Sequence, residues 1–208
     1  MITVHHLNDS RSQRILWLLE ELGLPYEIKK YQRDATTRLA PPELEKVHRL
    51  GKSPVITDGN RTLIESGAIV DYIIRRHGGG RLQPPPDSPE YDEYQQWLHY
   101  AEGSAMLPLI LNLYAMRLGD SAAPLTPRIE SEIANHLSYI DSALKGRQFL
   151  VGDSLTGAYI QMSFVGEAAG AFGKRTQYPN LDAWVKRLHE RPAYKTALEK
   201  GGQYNLAV

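Results

Sequence analysis

The chain has 208 residues, 24 Lys and Arg against 24 Asp and Glu, and no cysteine. At roughly 100–200 residues per domain, this length allows one large domain or two small ones, with enough chain to bury a core. Zero formal charge gives no electrostatic case for a nucleic-acid or anionic-membrane partner, and the missing thiols exclude disulfides, thiolate metal sites and a protein cysteine nucleophile.

Met1 to His6 lack the basic stretch and apolar run of an export signal, and no segment approaches the roughly 18 apolar residues of a membrane span. The expectation is a cytoplasmic protein. Ile2–His6 reads as a short strand. Ser12–Leu22 follows as a helix, with Ile15, Leu18, Leu19 and Leu22 on one face, stopped by Gly23 and then Pro25. Tyr26–Lys30 is strand-like, and Pro42–His48 suggests a short helix. Val55–Thr57 and Thr62–Ile64 flank Asp58-Gly59-Asn60, a hairpin turn signal. Ser66–Arg76 is a helix with Ile69, Tyr72 and Ile73 on one face, closed by Gly78. This order predicts one small mixed sheet covered by helices.

Gly78-Gly79-Gly80 and Pro84-Pro85-Pro86 then interrupt the pattern. Beyond Pro89 the chain reads as helix. Ile129, Ile133, Leu137, Ile140 and Leu144 form one stripe; Leu181, Trp184, Val185 and Leu188 form another. Ala158–Phe172 is apolar nearly all round, as in a central buried helix. The division predicted is an α/β domain over 1–78, a linker over 79–88 and an all-helical domain over 89–208.

Chemistry-bearing residues cluster in the first domain. Ser10 and Ser12 lie where the first strand feeds the first helix, beside unpaired N–H groups and the positive end of a helix dipole. Either serine can cap the helix or donate to an anion held in front of it. Pro54 enters a strand, where pattern alone favours the common trans bond. Ser66 suits a helix N-cap, and Glu65 beside it suits an amine. His5 and His6 do not read as a metal pair, because adjacent strand residues point to opposite faces.

The strand–Ser10–helix start, Gly51-Lys52-Ser53-Pro54-Val55, Leu63-Ile64-Glu65-Ser66-Gly67-Ala68-Ile69 and the helical second half together resemble the glutathione S-transferases across essentially the whole chain. His5 to Tyr26 looks most like their bacterial and fungal theta-related branch. The resemblance implies a thioredoxin-like N-terminal domain with Pro54 in cis, followed by an all-α C-terminal domain. It also implies glutathione as co-substrate and a homodimer; the histidines, which otherwise lie singly along the chain, give no reason to expect a metal. Ser10 would be the catalytic hydroxyl, with Ser12 as fallback. Lys52, Ser53, Pro54, Glu65 and Ser66 would bind glutathione: Ser53 pairs backbone groups with the cysteinyl part, Glu65 and Ser66 hold the γ-glutamyl end, and Lys52 approaches the peptide. The implied activity is attack of a glutathione thiolate on an electrophilic apolar compound. A glutathione-dependent isomerase and a non-catalytic glutathione-binding module are the alternatives.

A hydroxyl at Ser10 would act by acidifying the bound thiol. A free thiol has a pKa near 8.5, and lowering it by about two units needs roughly 2.7 kcal/mol of preferential thiolate stabilisation. One charge-assisted hydrogen bond plus a helix dipole is of that order. Arg14 either adds positive potential or lies on a solvated face. Tyr100, Met106, Tyr114 and Arg117 are candidates for the acceptor pocket. For the glycine carboxylate of glutathione, only Arg38 and Lys46 suggest themselves.

One family motif is broken. The buried helix of the second domain usually opens with Ser/Thr-x-x-Asp; here it opens Thr156-Gly157-Ala158-Tyr159. Thr156 can still cap, whereas Tyr159 cannot return a carboxylate bond, so restoring it as Tyr159→Asp is expected to add about 1 kcal/mol of stability.

Overall fold

The computed structural model describes residues 1–206. Strands β1 (Ile2–Leu7), β2 (Tyr26–Tyr31), β3 (Val55–Asp58) and β4 (Arg61–Ile64) form one sheet in the order β2-β1-β3-β4. β1 runs parallel to β2, while β1–β3 and β3–β4 are antiparallel. The parallel pair is joined by helix α1 (Ser12–Leu22), as a parallel connection requires. Gly23 ends α1 at φ 62°, a left-handed position that spares a side chain.

The short helix suggested over Pro42–His48 is confined to Pro42–Leu44, a single 3-10 turn. Leu44 is the one buried residue in that turn, so no apolar stripe extends it. Helix α2 (Ser66–Arg76) follows β4. Ser66 is not its N-cap. Glu65 occupies that position without a side-chain cap, and Ser66 is the first helical residue.

The remaining helices are α3 (Pro89–Tyr100), α4 (Met106–Leu118), α5 (Thr126–Ala143), α6 (Gly157–Ala171), α7 (Pro179–His189) and α8 (Pro192–Gly201). A π-helical turn over Ala101–Ala105 joins α3 to α4. The whole is an α/β thioredoxin-like domain followed by an all-α domain. α1 is buried nearly all round because it packs against β1, α2, α6 and α8. Helix α6 is buried from Gly157 to Ala169. At Gly157 an added Cβ would meet Ile74 Cδ1 at 2.6 Å and Val70 Cγ1 at 2.7 Å, so any side chain there would force these α2 residues to shift.

Thr156 caps α6: its hydroxyl accepts the Tyr159 N–H at 3.4 Å. Tyr159 is 3% exposed, with its ring 4.7 Å from Trp184 and 5.5 Å from Phe149, centroid to centroid. The expected gain from Tyr159→Asp is therefore overturned. Aromatic packing occupies the place of the missing carboxylate, and removing the ring opens a cavity.

Candidate functional site

Two cavities meet at the seam between the domains. The first, of about 250 Å³, is lined by Arg11, Lys52, Ser53, Pro54, Glu65, Ser66 and Glu102, with Leu50 and Ile64. The second, of about 330 Å³, carries Arg11 on its wall as well and runs along α4 and α6 to Asn205 and Leu206. Among the described residues, Arg11 alone lines both.

Local chain geometry explains the first cavity. The Ser53–Pro54 peptide is cis, turning the chain into β3 beside the start of α1. Glu65 sits at φ 65° and ψ 113°, a sparsely populated conformation for a residue with a side chain, at the junction of β4 with α2. The Ser66 hydroxyl, 4% exposed, accepts Arg14 Nη2 at 2.8 Å and Gln161 Nε2 at 2.9 Å. With both acceptor positions filled, its own proton is left to donate outward. Lys52 and Glu65 are exposed at the rim.

Ser10 lies behind this wall. It is 3% exposed, and its hydroxyl is 2.7 Å from the Leu7 carbonyl, 2.8 Å from Ser12 Oγ and 3.3 Å from Ser53 Oγ. Ser12 is deeper still, fully buried and bonded to His6 Nδ1 at 2.8 Å. Burial, with Lys30 adding to it, pushes the His6 pKa down to about 4, so this imidazole is neutral near pH 7. His6, Ser12, Ser10 and Ser53 thus form a hydrogen-bonded chain reaching the cavity lining. His5 bonds Tyr31 Oη at 2.9 Å instead, and the two histidines serve separate structural contacts.

Three participants have no motif of their own in the sequence. Arg14 is not on a solvated face: its guanidinium is 2% exposed and bonds Glu102, Ser66 and the Gln161 carbonyl. Glu102, from the π-helical turn, also takes Arg11 Nε at 2.9 Å on each oxygen. Burial alone would raise the Glu102 pKa, but Arg14 and Arg11 outweigh it and hold the carboxyl below its ordinary value. Arg11 stands over the Phe164 ring, 4.7 Å from its centroid, an arrangement that fixes the guanidinium at the point where the cavities join.

Of the acceptor-pocket candidates, Met106 and Arg117 line the second cavity and Tyr100 and Tyr114 do not. Helix α4 turns Met106, Leu109, Ile110, Leu113 and Arg117 toward the cavity, a helical spacing. Tyr114 falls on the outer face and is 54% exposed. The Tyr100 hydroxyl bonds His136 Nδ1 at 2.6 Å, joining α3 to α5. Arg38 is paired with Asp9 at 2.7 Å beside the second cavity, and Lys46 lines neither cavity. Among the described residues there is no group of three or more His, Asp or Glu able to hold a metal, and no helix long and apolar enough to cross a membrane.

A thioredoxin-like sheet, a cis-proline bend facing a helix N-terminus and a helical domain closing the other side define a two-domain class with its site at the seam. Models of the glutathione S-transferase N-terminal and C-terminal domains match residues 1–75 and 105–192. Glutathione S-transferase 3 of Schizosaccharomyces pombe is 35% identical over 96% of this chain and 88% of its own. The crystal structure of a glutathione S-transferase from Actinobacillus pleuropneumoniae matches at a TM-score of 0.92 and 33% identity, covering 100% of this chain and 96% of that one. A sphingomonad glutathione S-transferase complexed with glutathione matches at 0.76 and 25% identity, covering 96% and 98%. The chain belongs to the glutathione S-transferase family.

Proposed function

We propose that this transferase binds glutathione in the 250 Å³ cavity, stabilises its thiolate at the N-terminus of α1, and delivers it to an electrophile in the adjoining cavity. The observation that carries this reading is Arg11, the residue shared by both walls. Arg11 and Arg14 share the single Glu102 carboxylate, so the cluster keeps a net positive charge that favours a thiolate over a thiol, and the α1 dipole adds to it. Ser10 joins as a second donor. Its 3.3 Å contact with Ser53 Oγ supports this, and its hydroxyl must turn away from the Leu7 carbonyl to reach the sulfur.

In the same reading Ser66 donates to the γ-glutamyl carboxylate, Glu65 holds the γ-glutamyl amine, Ser53 pairs with the cysteinyl backbone, and Lys52 approaches the peptide. Placement in the bacterial and fungal theta-related branch accords with the likeness to the fungal relative. The homodimer is supported by the outer face of α4, where Leu107, Leu111, Tyr114 and Leu118 are each at least 42% exposed. An apolar stripe of this kind marks a protein contact surface. A cytoplasmic location is the setting proposed for it.

Ultraviolet absorbance of the bound thiolate against pH tests the activation step. Ser10→Ala should raise the bound-thiol pKa while keeping glutathione affinity within a few fold, and Arg11→Gln should raise it further. An unchanged pKa in Ser10→Ala removes that hydroxyl from the chemistry. An unchanged pKa in both variants overturns the site.

Ser66→Ala combined with Glu65→Gln should weaken glutathione binding by about tenfold or more, with a smaller effect on thiol acidity. Each lost charge-assisted bond is worth roughly 1.5–3 kcal/mol before non-additivity. Calorimetric titration with glutathione reads this directly, and unaltered affinity means that the peptide lies elsewhere.

A further inference from the structure

The second cavity has an apolar floor, which includes Leu109, Ile110, Leu113, Phe164 and Phe172, yet Arg11, Arg33, Arg38 and Arg117 also line it. The chain as a whole has equal numbers of acidic and basic residues, so this cationic excess is local. Among the described residues Asp9 is the sole carboxylate lining this cavity, and it is already engaged. Its Oδ2 accepts Arg38 Nη2 at 2.7 Å and its Oδ1 accepts the Asn205 N–H at 2.9 Å.

The other arginines differ in how far they are compensated. Arg11 is paired with Glu102. Arg33 donates to the carbonyls of Asn8, Asp9 and Arg38, which position its guanidinium without neutralising it. Burial, reinforced by Arg38 and only partly offset by Asp9, holds its pKa below the ordinary guanidinium value. Arg117, on the last turn of α4, makes no hydrogen bond or ion pair among the described residues.

A neutral acceptor, once bound, leaves these charges without a counterion, and gathering like charges beside an apolar floor is unfavourable. An anion reverses that balance, because guanidinium groups take carboxylates with paired N–H donors. We infer that the acceptor site takes an amphipathic anion: an electrophile whose apolar body lies on the Leu109–Phe164 floor while a carboxylate reaches the arginine rim. This inference rests on the transferase reading and narrows its substrate class.

A matched pair of acceptors tests it: 4-chloro-3,5-dinitrobenzoate and the corresponding neutral benzamide. In each, the glutathione sulfur forms a C–S bond and chloride leaves with the C–Cl electron pair; the thiol proton passes to water. After division by the uncatalysed rate, kcat/KM for the carboxylate should exceed that for the amide by about tenfold or more, the scale of one charge-assisted contact. The ratio should shrink with added salt. It should fall severalfold in Arg117→Gln and in Arg38→Gln, and Arg117→Lys should restore part of it.

Calorimetry with the two finished conjugates, which share the glutathione portion, should show the same preference. Equal rates and affinities for the pair overturn the anionic acceptor while leaving a transferase. A preference unchanged in both Gln variants overturns its assignment to this rim. Absence of turnover with either acceptor counts against the transferase reading, and the conjugate affinities then decide the anion question by themselves.

Discussion

Arg14→Met should lower stability by about 3–5 kcal/mol, the scale for breaking a buried ion pair by removing one partner. The side chain is 2% exposed and holds three elements together: α6 through the Gln161 carbonyl, α2 through Ser66 Oγ, and the π-helical turn through Glu102. Methionine fills much of the volume but satisfies none of these acceptors. Glu102 retains Arg11, so its charge is not left wholly unpaired, which places the loss toward the lower end of that range.

Chemical denaturation at fixed protein concentration reads the effect, since self-association would couple stability to concentration. Glu102→Gln and the double variant complete a cycle, whose coupling energy isolates the pair. A loss below about 1 kcal/mol in Arg14→Met would show that Arg11 and solvent compensate for it. The pH dependence has a definite sign. The folded-state pKa of Glu102 is depressed, so its contribution is present above the ordinary carboxylate pKa and is lost as pH falls through the depressed value. Glu102→Gln should remove that part of the acid sensitivity.

Tyr159→Asp should be destabilising by about 3 kcal/mol or more. Removing a buried aromatic ring costs roughly 3–5 kcal/mol, and the new carboxylate would face Trp17, Trp184 and Phe149 rather than water. A bond from that carboxylate back to the Thr156 N–H would offset only about 1 kcal/mol. Thr156→Ala is the companion measurement, expected to lose about 1 kcal/mol because the Thr156 hydroxyl accepts the Tyr159 N–H. If Tyr159→Asp matches or exceeds wild type in denaturation midpoint, the aromatic cluster is not what anchors the start of α6.

Element type and order are readable along most of the chain because they depend on local rules. The 3.6-residue stripes of α1, α5 and α7, the Gly59-Asn60 turn between β3 and β4, and the stop at Gly23 each follow from neighbours within a few residues. Pro42–His48 reads as a short helix, yet only a 3-10 turn over Pro42–Leu44 forms, because local preference without an apolar stripe does not sustain a longer one.

The site is legible only in part. Pro54, Ser53, Glu65 and Ser66 stand at strand and helix junctions that the sequence marks, and the structure brings them to one cavity with Lys52. Arg11 reads as one more polar residue of a loop, and Glu102 carries no motif. Their pairing spans 91 positions, and no spacing rule along the chain reports a contact of that separation. Burial is likewise a property of what packs from elsewhere. Arg14 and Tyr159 resemble surface and capping positions when read locally, yet α6 and α2 close over the first, and Trp17, Trp184 and Phe149 close over the second. Local chemistry along the chain therefore set the elements and their junctions. The docking of the helical domain onto the sheet domain chose which polar groups became partners, because only that contact removes water from between them and makes a buried charge depend on its counterion.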